Sequence, residues 1–266
     1  QELIKLIFYF SLIIFITGMI DDFFKLGVLI RLIVQIICSI CLVYYGLEIT
    51  NLGEYEFLNN IYLGLFSSIF TVISIVLMSN AINWIDGVDG LATSMFIQSL
   101  FSINLFIYII GLNNSILNIS LILAINSILF LFINLGFSPM RKGFLGNSGS
   151  IFLGFIISCI SIYYVIDTEY LLHPIIIAWC LSFPVFNITA TVVKRITKNK
   201  NPFEPDRLHL HHVLQDMQIS DRNVLLILFS FSCMLSFIGG LTYFIFGPLF
   251  SLILFLVTFI TYVMII

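Results

Sequence analysis

Four short motifs in this 266-residue chain carry residue types that could do chemistry. Asp21-Asp22 places two carboxylates side by side, with Lys25 one turn on and Arg31 and Gln35 at i and i+4 on the next helix. Adjacent carboxylates repel, and a shared cation that favours oxygen ligands would remove the repulsion; a solvated helix end is the competing reading. Asn80, Asn83 and Asp86 fall three apart on one helical face, Asp89 continues it, and Gly87 and Gly90 let backbone approach a ligand closely. Two Asp-Gly pairs exceed what a turn alone requires. Gly143-Phe144-Leu145-Gly146-Asn147-Ser148-Gly149-Ser150 leads directly into an apolar run. Its N–H groups and hydroxyls therefore sit at a helix N-terminus, a natural phosphate site, although glycine-rich helix starts also serve packing in membranes. Arg207, His209, His211 and His212 suit a diphosphate as donors. Zinc fits them poorly, because two of the histidines are adjacent and no suitable distant ligand accompanies them.

The elements that must position these motifs are membrane helices. Hydrophobic residues make up 60% of the chain and charged ones 9%, with a mean hydropathy of +1.13, which excludes an ordinary soluble domain. Apolar stretches near 3–20, 26–46, 61–80, 89–111, 116–135, 150–166, 172–190, 224–246 and 248–266 are each long enough to cross a hydrocarbon core of roughly 30 Å. They lack the alternation of outer-membrane strands. The fold class is thus all-α, a polytopic bundle of about nine transmembrane helices forming one domain over 1–266.

Threading the helices in alternation puts all four motifs on one side, in loops near 21–25, 80–90, 136–149 and 191–223. Lys25, Arg31, Arg141, Lys142, Lys194, Arg195, Lys198, Lys200, Arg207 and Arg222 fall on that side, leaving only Lys5 near the other. The positive-inside rule makes the motif side cytoplasmic. Opposite loops carry Glu48, Glu54, Glu56, Asp167 and Glu169. The net charge of −3 says little about partners, and nothing points to nucleic acid. All five cysteines lie in apolar spans, as small hydrophobes. The chain begins on Gln at the edge of a span, with no charged n-region or cleavage site, and reads as a fragment.

Together the motifs resemble the bacterial polyprenyl-phosphate N-acetylhexosamine-1-phosphate transferases, the family that includes phospho-N-acetylmuramoyl-pentapeptide transferase and the GlcNAc-1-phosphate transferases of common antigen, O-antigen and teichoic acid synthesis. Gly18-Met19-Ile20-Asp21-Asp22 with Arg31 and Gln35 is similar to the first family signature, and Asn80-Ala81-x-Asn83-x-x-Asp86-Gly87-x-Asp89-Gly90 to the second. Asn201-Pro202-Phe203-x-Pro205-Asp206-Arg207-x-His209-Leu210-His211-His212 resembles the branch that takes simple UDP-N-acetylhexosamines. The resemblance implies a bacterial cytoplasmic (inner) membrane enzyme with its active site on the cytoplasmic face. It would move a sugar-1-phosphate from a UDP-N-acetylhexosamine to polyprenyl phosphate, release UMP and use Mg²⁺ or Mn²⁺. By the same resemblance Asp21 and Asp22 orient or deprotonate the lipid phosphate near the metal. Asn83, Asp86, Gly87 and Asp89 hold the nucleotide, with Phe144 stacked on uracil. Arg207, His209, His211 and His212 grip the sugar diphosphate, with Lys25 and Arg31 nearby. A homodimer is compatible with the sequence, which does not decide it.

Two positions depart from the family pattern. Asn147 stands where a metal-binding Asp is usual, and Asn187 where Asp is frequent after Pro-x-Phe. Asn147 keeps a carbonyl oxygen but withdraws a unit charge worth up to ~4 kcal/mol at about 4 Å and an effective dielectric of about 20. A catalytically degenerate member that binds lipid phosphate or a partner without turnover is the first alternative. A transporter is the remote one, since its polar groups belong at mid-bilayer.

Overall fold

A computed structural model describes residues 2–111, 115–137, 141–166, 172–199 and 209–265, with the side chains of 115–117 left out of that description. Arg207, Lys200 and the 201–206 part of the fourth motif lie outside the described residues. The described chain is an all-α membrane bundle: α1 (Glu2–Phe24), α2 (Val28–Tyr44), α3 (Ser67–Ile85), α4 (Leu91–Ile109), α5 (Ser115–Asn134), α6 (Gly146–Ile166), α7 (Pro174–Cys180), α8 (Ser182–Thr197), α9 (Leu210–Asp216) and α10 (Asp221–Ile265). Five of these helices are long and apolar enough to cross a membrane singly, and α2 and α5 are shorter apolar helices. Large Ile, Leu and Phe side chains cover the outer faces of the bundle, as lipid allows.

Helix α6 is the hub. It is buried over most of its length and packs against α1, α3 and α4. Glycines permit this crowding. A Cβ on Gly18 of α1 would lie 2.4 Å from Ser148 Cα, and one on Gly154 of α6 would lie 2.6 Å from Ser79 Cα of α3. Small residues at such crossings substitute close backbone packing for the hydrophobic drive that lipid does not supply.

One apolar stretch that reads as a single span is broken, and the break expected near 247 is present. The expected span at 172–190 is α7 and α8, bent by 75° around Leu181. The cause is Pro184, which lacks the N–H that would bond the Cys180 carbonyl four residues back. Ser99 Oγ donates to that orphaned carbonyl instead, at 3.2 Å. Ser236 Oγ of α10 likewise donates to Trp179 O. Gln98 then ties α4 to α10, donating to Ser236 Oγ at 2.7 Å and accepting from Ser232 Oγ at 2.7 Å. The last two expected spans are the arms of α10, which breaks at Gly247 (φ 83, ψ 174) ahead of Pro248.

At the end opposite the motifs, the segment read as a plain acidic loop contains an antiparallel hairpin, β1 (Asn51–Tyr55) and β2 (Asn59–Tyr62). Its Glu56 accepts from Leu249 N at 3.3 Å and so caps the second arm of α10. The α-helix that follows starts at Ser67, later than the sequence expectation of 61, because the hairpin runs to Tyr62 and a 3₁₀ turn over Gly64–Phe66 leads into the helix.

Candidate functional site

Helix ends converge on the motif side. Asp21 and Asp22 close α1, Arg31 opens α2, Asn83 ends α3, and Asn147 opens α6. Asp22 reaches across to α6 and accepts from Asn147 N at 2.9 Å and Ser148 N at 3.0 Å. These are first-turn amides with no partner inside their own helix, and the carboxylate also complements the positive end of the helix dipole. The glycine-rich helix start read as a phosphate site therefore already holds an anion of the chain itself. Gly146 makes this approach feasible: its φ is +66, and a Cβ there would lie 2.7 Å from Asp22 Oδ2.

Asp21, 5% exposed, is held from two sides: Arg31 Nη1 at 3.0 Å and Asn147 Nδ2 at 2.9 Å, both on Oδ2. Asn147 in turn accepts on Oδ1 from Asn83 Nδ2 at 2.9 Å, which also donates to Ser150 Oγ. Asn80 Nδ2 donates to Gln35 Oε1 at 2.7 Å. One polar network thus joins α1, α2, α3 and α6. Every side chain in it comes from the first three motifs or from the Arg31 and Gln35 pair.

The network roofs a cavity of about 680 Å³. Arg31, Asn80, Asn83, Asp86, Gly87 and Asn147 line its polar part, together with His209, His211 and His212. Trp84 and Arg195 also line it, and the rest of its wall is aliphatic, with Leu32 and Ile36 of α2, Val72 and Val76 of α3, and Ile188 and Val192 of α8. A second cleft of about 280 Å³ shares Asp86 and Gly87 and adds Asp89, Asn134, Phe144 and Asp221. Asp89 thus leaves the face that Asn80, Asn83 and Asp86 share, because α3 stops at Ile85 and the chain turns through Gly87 and Gly90 (φ +80) before α4. Lys142 pairs with Asp89 and lies 5.9 Å from the centroid of the exposed Phe144 ring. Lys25 is exposed in the α1–α2 turn and lines neither cavity.

The three histidines pack as a group. His209 stacks on His211 at 5.6 Å between centroids, and His211 lies 4.1 Å from His212. A Cβ on Gly87 would fall 2.3 Å from His211 Nε2, so the glycine of the second motif exists to admit the histidine of the fourth. Burial, with His212 and His209 beside it, pushes the His211 pKa down to about 3. His211 is therefore neutral under physiological conditions and brings no charge to an anion.

Among the described residues, the buried cation is one that the motifs do not contain. Arg195 of α8 is 2% exposed, lines the large cavity and lies 4.6 Å from the centre of the Trp84 ring, with which His209 makes an edge contact at 5.5 Å. The sequence places Arg195 in a basic run and Trp84 at a variable position of the second motif. Only the continuation of α8 past residue 190 turns Arg195 inward.

Asp86 carries the electrostatic load of the site. Burial, reinforced by Asp89 and Asp22, raises its pKa to about 7. For an acid the raised folded value means that stability falls as pH climbs from the unfolded value near 4 and is lowest above about 7. The full ionisation cost is of the order of 4 kcal/mol, at about 1.4 kcal/mol per pKa unit. In metal-free buffer, Asp86→Asn should raise the thermal midpoint by several degrees at pH 8 and by markedly less at pH 5. A pH-independent difference would remove ionisation of Asp86 as the cause.

The family model described as Glycosyl transferase family 4 matches residues 4–165. The "Probable undecaprenyl-phosphate N-acetylglucosaminyl 1-phosphate transferase" of Bacillus subtilis (strain 168) is 33% identical, over 82% of this chain and 60% of its own length. The undecaprenyl-phosphate alpha-N-acetylglucosaminyl 1-phosphate transferase of Thermotoga maritima is 34% identical over 87% of this chain and 68% of its own. Its namesake in Escherichia coli (strain K12) is 29% identical over 92% and 68%. The chain thus spans between 60% and 68% of the length of these relatives. The match covers α1 to α6 and with them the whole Asp21, Asp22, Asn83, Asn147 network, and this multi-pass membrane chain belongs to glycosyl transferase family 4.

Proposed function

We propose that the protein transfers an N-acetylhexosamine-1-phosphate from a UDP-sugar to undecaprenyl or another polyprenyl phosphate, releasing UMP, at the cytoplasmic face of a bacterial inner membrane. One observation carries this reading: the polar network and a cluster of polar side chains head a cavity that continues between aliphatic walls from α2, α3 and α8. Such a two-faced cavity suits a substrate with an anionic head and a long apolar tail. The relatives' names carry the same pair of chemistries, an N-acetylglucosaminyl 1-phosphate and an undecaprenyl phosphate.

In the reaction, an oxygen of the lipid phosphate bonds to the β-phosphorus of the donor, and the bond from that phosphorus to the oxygen bridging it to the α-phosphate breaks. The electron pair leaves with UMP. An anion attacks an anion, so the protein's task is positioning and charge neutralisation. Arg31 and Arg195 supply cationic donors within the large cavity. Asp21 holds Arg31 and Asn147 in place at the head of the cavity, where Arg31 meets the lipid phosphate, and Asp22 sets where α6 and Asn147 lie. Asp86, Gly87, Asp89 and Phe144 form the neighbouring cleft, which suits the nucleotide.

A divalent cation fits the donor set. Asp22 and Asp89 are close enough to Asp86 to raise its cost of ionisation, and the available ligands are oxygens. Among the described residues no three carboxylate, His or Cys side chains form a closed cage. Asp22, Asp86 and the side-chain carbonyl of Asn147 are the oxygen donors that would hold Mg²⁺ or Mn²⁺. When bound it would neutralise charge on the transferring phosphate.

The test is transfer of label from UDP-[³H]N-acetylhexosamine into a butanol-soluble lipid, by membranes containing the full-length protein and undecaprenyl phosphate. Arg195→Met should lower kcat/KM for the nucleotide sugar by about tenfold to a hundredfold, the scale for a charged hydrogen bond in a dry site, and Arg195→Lys should not rescue it because the stack on Trp84 needs the planar guanidinium. Unchanged kinetics in Arg195→Met would remove this residue from the site.

A further inference from the structure

Gln215 and Asp221 belong to none of the motifs. Gln215 lies in α9, three residues after His212, and Asp221 opens α10. Gln215 Nε2 donates to Asp221 Oδ1 at 2.8 Å, and Gln215 Oε1 lies 3.0 Å from His212 Nδ1. The proton positions along this relay follow from what each group can do. An ionised carboxylate only accepts, so the amide must turn its nitrogen to Asp221 and hence its oxygen to His212. That oxygen also only accepts, so the imidazole proton must sit on Nδ1. The other ring nitrogen, Nε2, keeps its lone pair in the neutral ring. Asp221 is itself fixed, as an acid in the first turn of α10 where the helix dipole favours it.

We propose that Gln215 and Asp221 are positioning residues that lock His212 in its Nδ1–H tautomer, so that Nε2 serves the large cavity as a hydrogen-bond acceptor for an O–H or N–H of the donor's sugar. His212 lines that cavity. A lone pair there repels phosphate oxygens, whereas a sugar ring brings hydroxyl and acetamido donors that need an acceptor. Arg31 and Arg195 line the same cavity and are the donors suited to the phosphates. This assigns His212 a role opposite to that of the cationic neighbours and opposite to the diphosphate grip expected from the motif. The substrate assignment rests on the proposed transfer reaction; the tautomer does not.

The experiment uses the full chain in nanodiscs with ¹⁵N-labelled histidine, at a pH about two units above the ordinary imidazole value near 6.5. The His212 signal is identified by its loss in His212→Asn. The wild type should show protonated Nδ1 and unprotonated Nε2. Gln215→Leu should turn that into a mixture of tautomers and lower kcat/KM for the nucleotide sugar about tenfold, with KM for the lipid phosphate unchanged. The double variant Gln215→Glu with Asp221→Asn reverses the donor on one side only, keeps an acceptor facing Nδ1, and should restore the tautomer. A wild-type signal with the proton on Nε2, or a Gln215→Leu protein with unaltered tautomer and kinetics, overturns the proposal. The expected tautomer in a protein that turns over no UDP-sugar would uphold the lock and overturn the transfer reading instead.

Discussion

Asp22→Asn is expected to slow UMP release at least about a hundredfold, the scale for loss of a positioned charge at a reacting phosphate. The carboxylate holds two first-turn amides of α6 at once, one on each oxygen. An amide side chain has a single acceptor oxygen, so its nitrogen would confront one of those N–H groups donor to donor. The start of α6 would shift, and with it Asn147, which Asp21 and Asn83 both bond. The α1–α6 contact is anchored along much of both helices and at Gly18, so the amount of protein in the membrane should stay near wild type. Steady-state UMP release, normalised to membrane protein by immunoblot, checks this. Full turnover would place Asp22 outside the mechanism.

Asn147→Asp should make both activity and stability depend on Mg²⁺ in a way the wild type does not share. In the wild type Asn147 Nδ2 donates to Asp21 Oδ2 at 2.9 Å. A carboxylate there loses that donor and faces Asp21 oxygen to oxygen, while gaining a unit charge for a cation. Without Mg²⁺ the variant should therefore melt below the wild type, and with saturating Mg²⁺ the deficit should close. The Mg²⁺ concentration for half-maximal activity should fall by about tenfold or more, since a third of a Coulomb interaction of ~4 kcal/mol corresponds to a decade. Thermal melts and initial rates across a Mg²⁺ series test the pair. Identical Mg²⁺ responses in the two proteins would place Asn147 away from the metal. Turnover in the variant alone would favour a degenerate wild type.

Local composition made much of this architecture legible. Apolar runs of about twenty residues forecast each membrane helix, and the sidedness of the motifs forecast which helix ends meet. The break in α10 was legible as the boundary between the stretches 224–246 and 248–266, and the structure puts it at Gly247, where Glu56 of the hairpin caps the second arm. The bend in the stretch 172–190 was hidden in a single residue whose effect depends on a neighbour: Pro184 bends the α7–α8 pair only because Ser99 can satisfy the Cys180 carbonyl. The site divides the same way. Asp21, Asp22, Arg31, Asn83, Asp86 and Asn147 were readable because signature spacing concentrates them, and the structure brings them together. Arg195 was not, because a basic residue just past an apolar run has the same appearance whether it faces headgroups or turns inward onto Trp84. Gln215 and Asp221 carry no signal in one dimension, since their meaning is the hydrogen-bond polarity they impose on His212.

The central claim is transfer of a sugar phosphate and not of a sugar, and a donor labelled with ³²P at the β-phosphate tests it most directly. Full-length protein in membranes, given β-³²P-labelled UDP-N-acetylglucosamine and undecaprenyl phosphate, should move the label into the lipid phase and leave unlabelled UMP in water. The label should remain in water when either Mg²⁺ or the lipid phosphate is withheld. Release of the label as UDP, or its retention in the donor with every UDP-N-acetylhexosamine supplied, would contradict the account.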